Sequence, residues 1–516
     1  MNKVTHGTIA AGHQETAQAG IEIFRLGGNA FDAAAAAVLA SFVTESALTS
    51  AAGAGFLLAH TKANDNILFD FFSQTPRQKR NKDSINFYPV GINYGNAVQE
   101  FHIGLGSMAV PGNIGGIFHV QQKLGRLPFK VVAEPAIHYA KNGIQLNEFQ
   151  SFCLGLLKEI MISSQEGRQI YTPNGELLSS GSTLFMKDFA DTLAYLADKG
   201  VREFYEGEIA QQLVKDCQER GGYLTLQDLK DYRVIERTPL LINYRGNTFL
   251  TNPPPSSGGI LIAFALELLS KVDLDKVGFG TSRHLQTLVE VMRLTNEARK
   301  DGYNNNLYQE NVAKEFLSAK HLAQYEQQLT EVVNKWGSTT HISVIDDEGN
   351  AASVTTSHGE GSSYIIPGTG IMVNNMLGEE DLNPHGFHQW QENVRISSMM
   401  APTIVLKNNR PEIVLGSGGS NRIRTAILQV ISNIVDFKMP VDAAVNNPRI
   451  HWENYVLNVE PGFNEAAIKA MADDDNQLIE WNKKNMFFGG VHTVMESEDL
   501  IAGAGDKRRN GAIARI

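Results

Sequence analysis

The sequence predicts a layered α+β protein, and three features carry that expectation. Strand-like runs come in adjacent pairs joined by short polar turns, long helical runs separate the pairs, and regular βαβ alternation is missing. With 516 residues the chain exceeds a typical core of roughly 100 to 200 residues, enough for two domains or one large layered body.

Taken in order, helical periodicity runs over residues 15–26, stops at Gly27 and Gly28, and restarts after Asn29, whose side chain can cap the new helix while Asp32 favours its first turn. The alanine-rich run 30–43 is shorter than the ~20 residues of a membrane span and contains Asp32, so it predicts a buried helix. Runs 56–60 and 67–72 flank a polar segment and predict a hairpin. From Gly115 to Leu269 the pattern is mainly helical, with a stiff TNPPPSSGG run at 251–259 leading into an apolar helix. A polar, helix-rich stretch, 282–335, then gives way to strict alternation. THISVI, a turn at 347–350 and AASVTT predict a second hairpin, and strands at 402–406 and 412–416 precede a helix over 422–437.

Composition excludes several functions. A net charge of -11 and a pI near 5.7 disfavour nucleic acid and anionic membranes, whose binding needs clustered Lys and Arg; the one basic cluster is Lys507 to Arg509. Two cysteines, Cys153 and Cys217, supply neither a disulfide framework nor a Cys-rich zinc site. The N-terminus lacks the apolar stretch of a secretory signal, which predicts a cytoplasmic location.

Local motifs leave alternatives open. Gly416-Ser-Gly-Gly-Ser420 lies between a strand and a helix, where backbone N–H groups can bind an anion; it fits an oxyanion hole or a plain tight turn better than a nucleotide site, which would want a Walker lysine or a third glycine. His385 and His388 have metal-ligand spacing but sit in a Pro/Gly loop without an HExxH context, so no metal and no cofactor are expected. Ser397-Ser398 is either a polar lead into a strand or a binding pair. Thr339 by itself is an ordinary strand-forming residue.

Nine segments raise Thr339 above that: GGNAFDAAAAAVLASFVTES, AVPGNIGGI, EPAIHYAKNG, NPPPSSGGI, STTHISVIDDEGNAASVT, PGTGIMVNN, SSMMAPTIVL, GSGGSNRI and NNPRIHWE. Together, and in this order, they resemble the γ-glutamyltranspeptidase family across essentially the whole chain. The resemblance implies a four-layer α-β-β-α sandwich of the N-terminal nucleophile hydrolase type and a precursor that cuts itself between Ser338 and Thr339. The products would be residues 1–338 and 339–516, which stay associated as one layered domain. Cleavage frees an α-amine with a pKa of about 8, able to act as general base for the Thr339 hydroxyl.

By position, the resemblance implies that Thr339 forms an acyl-enzyme, Ser357 hydrogen-bonds its amine, and Gly419 and Ser420 form the oxyanion hole. Ser397 and Ser398 would hold the donor carboxylate, and Asn375 and Glu379 its α-amino group. It also implies a small γ-glutamyl amide donor such as glutathione and a water or amine acceptor, and it leaves a homodimer open. Two departures concern specificity. Phe72 stands where the family has an arginine for that carboxylate, and Gly359 replaces an asparagine. Phe72 favours, as an alternative, an acylase for a less charged donor; an uncut precursor with a binding role is a second alternative.

Overall fold

The computed structural model describes residues 3–93, 98–325, 339–471, 477–497 and 500–516. Two antiparallel sheets form its middle. In chain order their strands are β1 (Gly7–Ala11), β2 (Ala54–His60), β3 (Asn66–Phe71), β4 (Ile235–Arg237), β5 (Leu240–Tyr244), β6 (Asn247–Thr251), β7 (Thr340–Asp346), β8 (Ala351–Ser357), β9 (Thr403–Lys407), β10 (Arg410–Gly418), β11 (Gly490–Ser497), β12 (Leu500–Ala504) and β13 (Ala512–Arg515). The first sheet runs β13-β1-β7-β8-β2-β3-β4 and the second β12-β11-β10-β9-β6-β5. Both sheets combine strands from before residue 338 and after residue 339: the first intersperses them, and the second sets four later strands beside two earlier ones.

Helices cover the outer faces. On the first sheet lie α1 (Gln14–Arg25), α2 (Ala30–Thr44) and α3 (Asn113–Leu124), with α4 (Phe129–Asn142) packed on α2; on the second lie α5 (Gly258–Leu269) and α7 (Arg422–Val435), with α6 (Ser282–Ala298) packed on α5. This is the expected α-β-β-α order. Every residue of α2 is buried, and its run of alanines lets it approach β7, β8 and three helices closely. Asn29 and Asp32 complete a capping box at its start, and the Asp346 carboxylate at the end of β7 accepts the Ala30 N–H at 2.9 Å. The helix is thereby tied to the strand that Thr339 enters.

Between the sheets, β7 packs on β10. A Cβ placed on Gly416 would lie 2.3 Å from His341 Cε1, so a side chain there would push the strands apart. Burial of His341 holds its imidazole well below its usual pKa, hence neutral; its two ring nitrogens are paired with Thr355 Oγ1 at 2.8 Å and Ser343 Oγ at 2.9 Å.

The expected helices and hairpins are present within one or two residues at their ends. The stretch 115–269 departs from its helical expectation, since it also contains β4, β5 and β6. β4, with Glu236 and Arg237, has no buried residue and lacks an apolar strand signature, while β5 buries Ile242 and Tyr244 but is only five residues long. β1, β12 and β13, of four or five residues, were likewise too short to stand out. Part of the helix-rich 282–335 segment, and Ser338, lie outside the described residues.

Gly416→Ala should cost about 1 to 3 kcal/mol through overpacking against His341. The check is a lowered melting temperature with unchanged secondary structure by circular dichroism; an unchanged melting temperature would show that the sheets tolerate the methyl group.

Candidate active site

Thr339 lies immediately before β7. The pairing of Thr340 with Thr356, carried one residue further, puts Thr339 opposite Ser357 at the end of β8. The Thr339 carbonyl accepts a 2.8 Å hydrogen bond from Nη1 of Arg509, which is buried. A Cβ on Gly418 would fall 2.1 Å from that carbonyl oxygen, so the glycine backbone packs directly against the nucleophile candidate.

The chain then turns at Gly419 (φ +125°) and Ser420 (φ +49°) into α7. Their carbonyls accept the N–H groups of Arg422 and Ile423, each at 3.0 Å, whereas their own N–H groups donate to no described residue. Two unpaired donors at the start of a 14-residue helix make a site for negative charge. Ser420 occupies a left-handed conformation that costs a non-glycine residue roughly 1 kcal/mol, and its hydroxyl donates to Asp381.

A pocket of about 380 Å³ opens on this turn and is lined by Phe72, Thr339, Ser357, Glu379, Ser398 and Ser420, together with Met376, Asp381, Leu382, Met399, Met400 and Ile423. Six of the residues singled out from sequence therefore share one cavity. Ser357 Oγ accepts the Gly359 N–H at 2.8 Å, and Ser398 Oγ accepts the Met400 N–H at 3.1 Å. Phe72 stacks on Phe56 with ring centroids 5.2 Å apart.

Others sit at the margin. Gly419 supplies backbone to the adjoining turn. Ser397 lines the neighbouring pocket instead, paired with Ser257 Oγ at 2.9 Å. Asn375 is buried behind the wall, where its side-chain oxygen accepts the Glu360 N–H at 3.0 Å. Gly359 has a reason to lack a side chain: a Cβ there would lie 2.1 Å from Asn375 Oδ1 and 2.2 Å from Glu379 Oε1.

The electrostatics of the pocket are one-sided. Neither lysine nor arginine lines it, while Glu379 and Asp381 do. Burial, followed by the nearby charges of Glu360 and Asp381, holds the Glu379 carboxyl well above the usual carboxylate range. The nearby guanidinium of Arg395 is committed elsewhere. It donates to the Phe72 carbonyl, to Tyr232 Oη at 2.8 Å and to the Arg233 carbonyl at 2.7 Å, and lies beside Asp70.

Two residues of this site escape sequence reasoning. Arg509 reads there as part of a short basic cluster, yet it grips Thr339. Glu45 lies under the next residue, accepting the hydroxyls of Thr340 and, at 3.1 Å, Thr16; burial raises its pKa. An arginine in an apolar-flanked C-terminal segment and a lone glutamate after a buried helix were the available signals, and neither indicates a partner. His388, considered as a metal ligand, pairs with Tyr223 Oη at 2.9 Å.

Comparison with known proteins agrees with this geometry. A sequence model described as Gamma-glutamyltranspeptidase matches residues 16–516. The chain is 30% identical to the glutathione hydrolase proenzyme of Escherichia coli (strain K12), over 98% of this chain and 91% of that protein. It is 28% identical to the acylase ACY 1 proenzyme of Pseudomonas sp. (strain SE83), over 99% and 94%. The crystal structure of cephalosporin acylase from Bacillus halodurans has the same fold, with a TM-score of 0.87 at 24% identity, covering 99% of this chain and 96% of that one.

A carboxyl whose folded pKa is raised costs stability as pH rises above its unfolded value of about 4.3. Glu379→Gln should therefore match the parent near pH 4 and melt at a higher temperature near pH 8, with the gap widening between. A gap that shrinks as pH rises would mean that Glu379 is stabilised as the anion.

Proposed function

Because this chain belongs to the γ-glutamyltranspeptidase family of enzymes, we propose that its working form begins at Thr339 and cleaves an acyl amide through an ester on the Thr339 hydroxyl. The observation that carries this reading is the placement of Thr339 against the Gly418–Ser420 turn, with two unused N–H donors beside it.

Maturation and turnover use the same parts. In the precursor, Thr339 Oγ1 attacks the Ser338 carbonyl carbon, the peptide C–N bond breaks, and the nitrogen leaves as the α-amine. Water hydrolyses the resulting ester, which yields residues 1–338 and 339–516. Each sheet is built from strands of both fragments, which supports their staying together. In turnover, the amine takes the hydroxyl proton as Oγ1 attacks the donor carbonyl. The N–H groups of Gly419 and Ser420 receive the oxyanion, and the leaving nitrogen collects the proton. Water or an amine then opens the acyl ester. Ser357 across the strand pair orients the α-amine, and the Arg509 guanidinium disfavours its protonated form.

For the donor, the pocket favours the less charged acylase reading over a γ-glutamyl group. A buried phenyl ring and three methionines line it, no cation does, and burial raises the pKa of its Glu379 carboxyl. Forgoing a charge-assisted clamp on the donor carboxylate costs about 2 kcal/mol, or roughly 30-fold in binding. Ser398 remains as a neutral hydrogen-bond partner for the acyl arm.

On a denaturing gel the parent should mature to two bands, the smaller starting at Thr339 by N-terminal sequencing, and Thr339→Ala should stay as one. The mature protein should cleave a butyryl anilide with kcat/KM about tenfold or more above that for the γ-glutamyl anilide. A γ-glutamyl preference would overturn the donor reading alone, whereas a parent that never splits would overturn the threonine mechanism.

A further inference from the structure

Beyond the wall of the catalytic pocket lies a second, polar pocket of about 660 Å³, and Asp381 lines both. Its walls include Arg299 and Asn304 at the end of α6, and Asn421, the residue after the oxyanion turn. The Arg299 side chain is half-buried, donating from Nη1 to Asn421 Oδ1 at 3.2 Å and from Nε to Asn304 Oδ1 at 3.3 Å. Both acceptors are neutral, and no carboxylate among the described residues lies within ion-pair distance of this guanidinium. Three acids and a second cation, Lys300, share the pocket: Asp381 accepts from Ser420 and, at 3.5 Å, from Asn421, Glu453 lies 3.7 Å from Arg424 and 3.4 Å from His451, and the third is Glu380.

We propose that Arg299 anchors a carboxylate on the amine half of the substrate, so that the enzyme takes N-acylated amino acids or compounds with the same amide-to-carboxylate layout. The inference rests on the acyl-transfer reading above. With the donor carbonyl on the N–H groups of Gly419 and Ser420 and the acyl arm among Phe72, Met399 and Met400, the leaving nitrogen would face Asp381, which the second pocket shares. There Arg299 is held by two amides that fix its plane and leave Nη2 for an incoming oxygen. Recognition of charge is thus moved from the acyl side, where Phe72 removes it, to the amine side. A free amino acid held in the same way would be placed to intercept the acyl ester.

The test uses binding of a non-hydrolysable pair, N-methylsulfonylalanine and its carboxamide, measured calorimetrically on the mature protein. The carboxylate should bind about tenfold tighter than the carboxamide. Arg299→Met should bring the ratio near one, and Arg299→Lys should retain part of it. Melting curves establish that each variant is folded, and in the parent the preference should fall as salt rises from about 0.05 to 0.5 M. Equal binding of the two probes by the parent, a preference for the carboxamide, or a ratio untouched by both substitutions would overturn the assignment. Since neither probe is turned over, an inactive Thr339 would sink the acyl-transfer reading without altering this outcome.

Discussion

The site depends on one close contact, the Thr339 carbonyl pressed against the backbone of Gly418 and held by Arg509. Strand β7 brings the threonine from the first sheet and β10 brings the glycine turn from the second, so neither sheet contains the site alone. A glycine is required because a Cβ would overlap the carbonyl, and the buried Arg509 guanidinium gives that carbonyl a donor within the interior. The contact also sets distances for chemistry. With Thr339 fixed by its own backbone, its side chain and the two N–H donors of the next turn are placed before any substrate arrives.

Selectivity is layered on that frame by side chains that the frame does not need. The cavity wall at Phe72 is an aromatic stack with Phe56, and burial beside Glu360 and Asp381 raises the pKa of the Glu379 carboxyl. A pocket so lined disfavours an anion within it. Charged groups reappear only beyond Asp381, around Arg299. The two halves of an amide thus meet opposite environments on either side of the bond to be broken.

Much of this was legible in the sequence because it lies in strong local signals. The capped alanine helix, the two hairpins and the helix after the glycine turn follow from spacing and cap residues alone. Sequence segments in family order also identified Thr339, Ser357, Glu379, Ser398 and Ser420, which the fold gathers in one pocket. Short strands such as Ile235–Arg237, with no buried residue, left no pattern. The roles of Arg509, Glu45 and Arg299 were invisible for a different reason: each is defined by a partner at least 120 residues away, and charge alone names no partner.

The central claim is that Thr339 carries the acyl group. Mass spectrometry of the mature protein, quenched in acid during turnover of an acyl anilide, tests it most directly. The account predicts a fragment with the mass of residues 339–516 plus the acyl group, and peptide mapping that places the acyl group on Thr339. An adduct on any other residue, or turnover by a chain that retains its full 56.7 kDa, would contradict it.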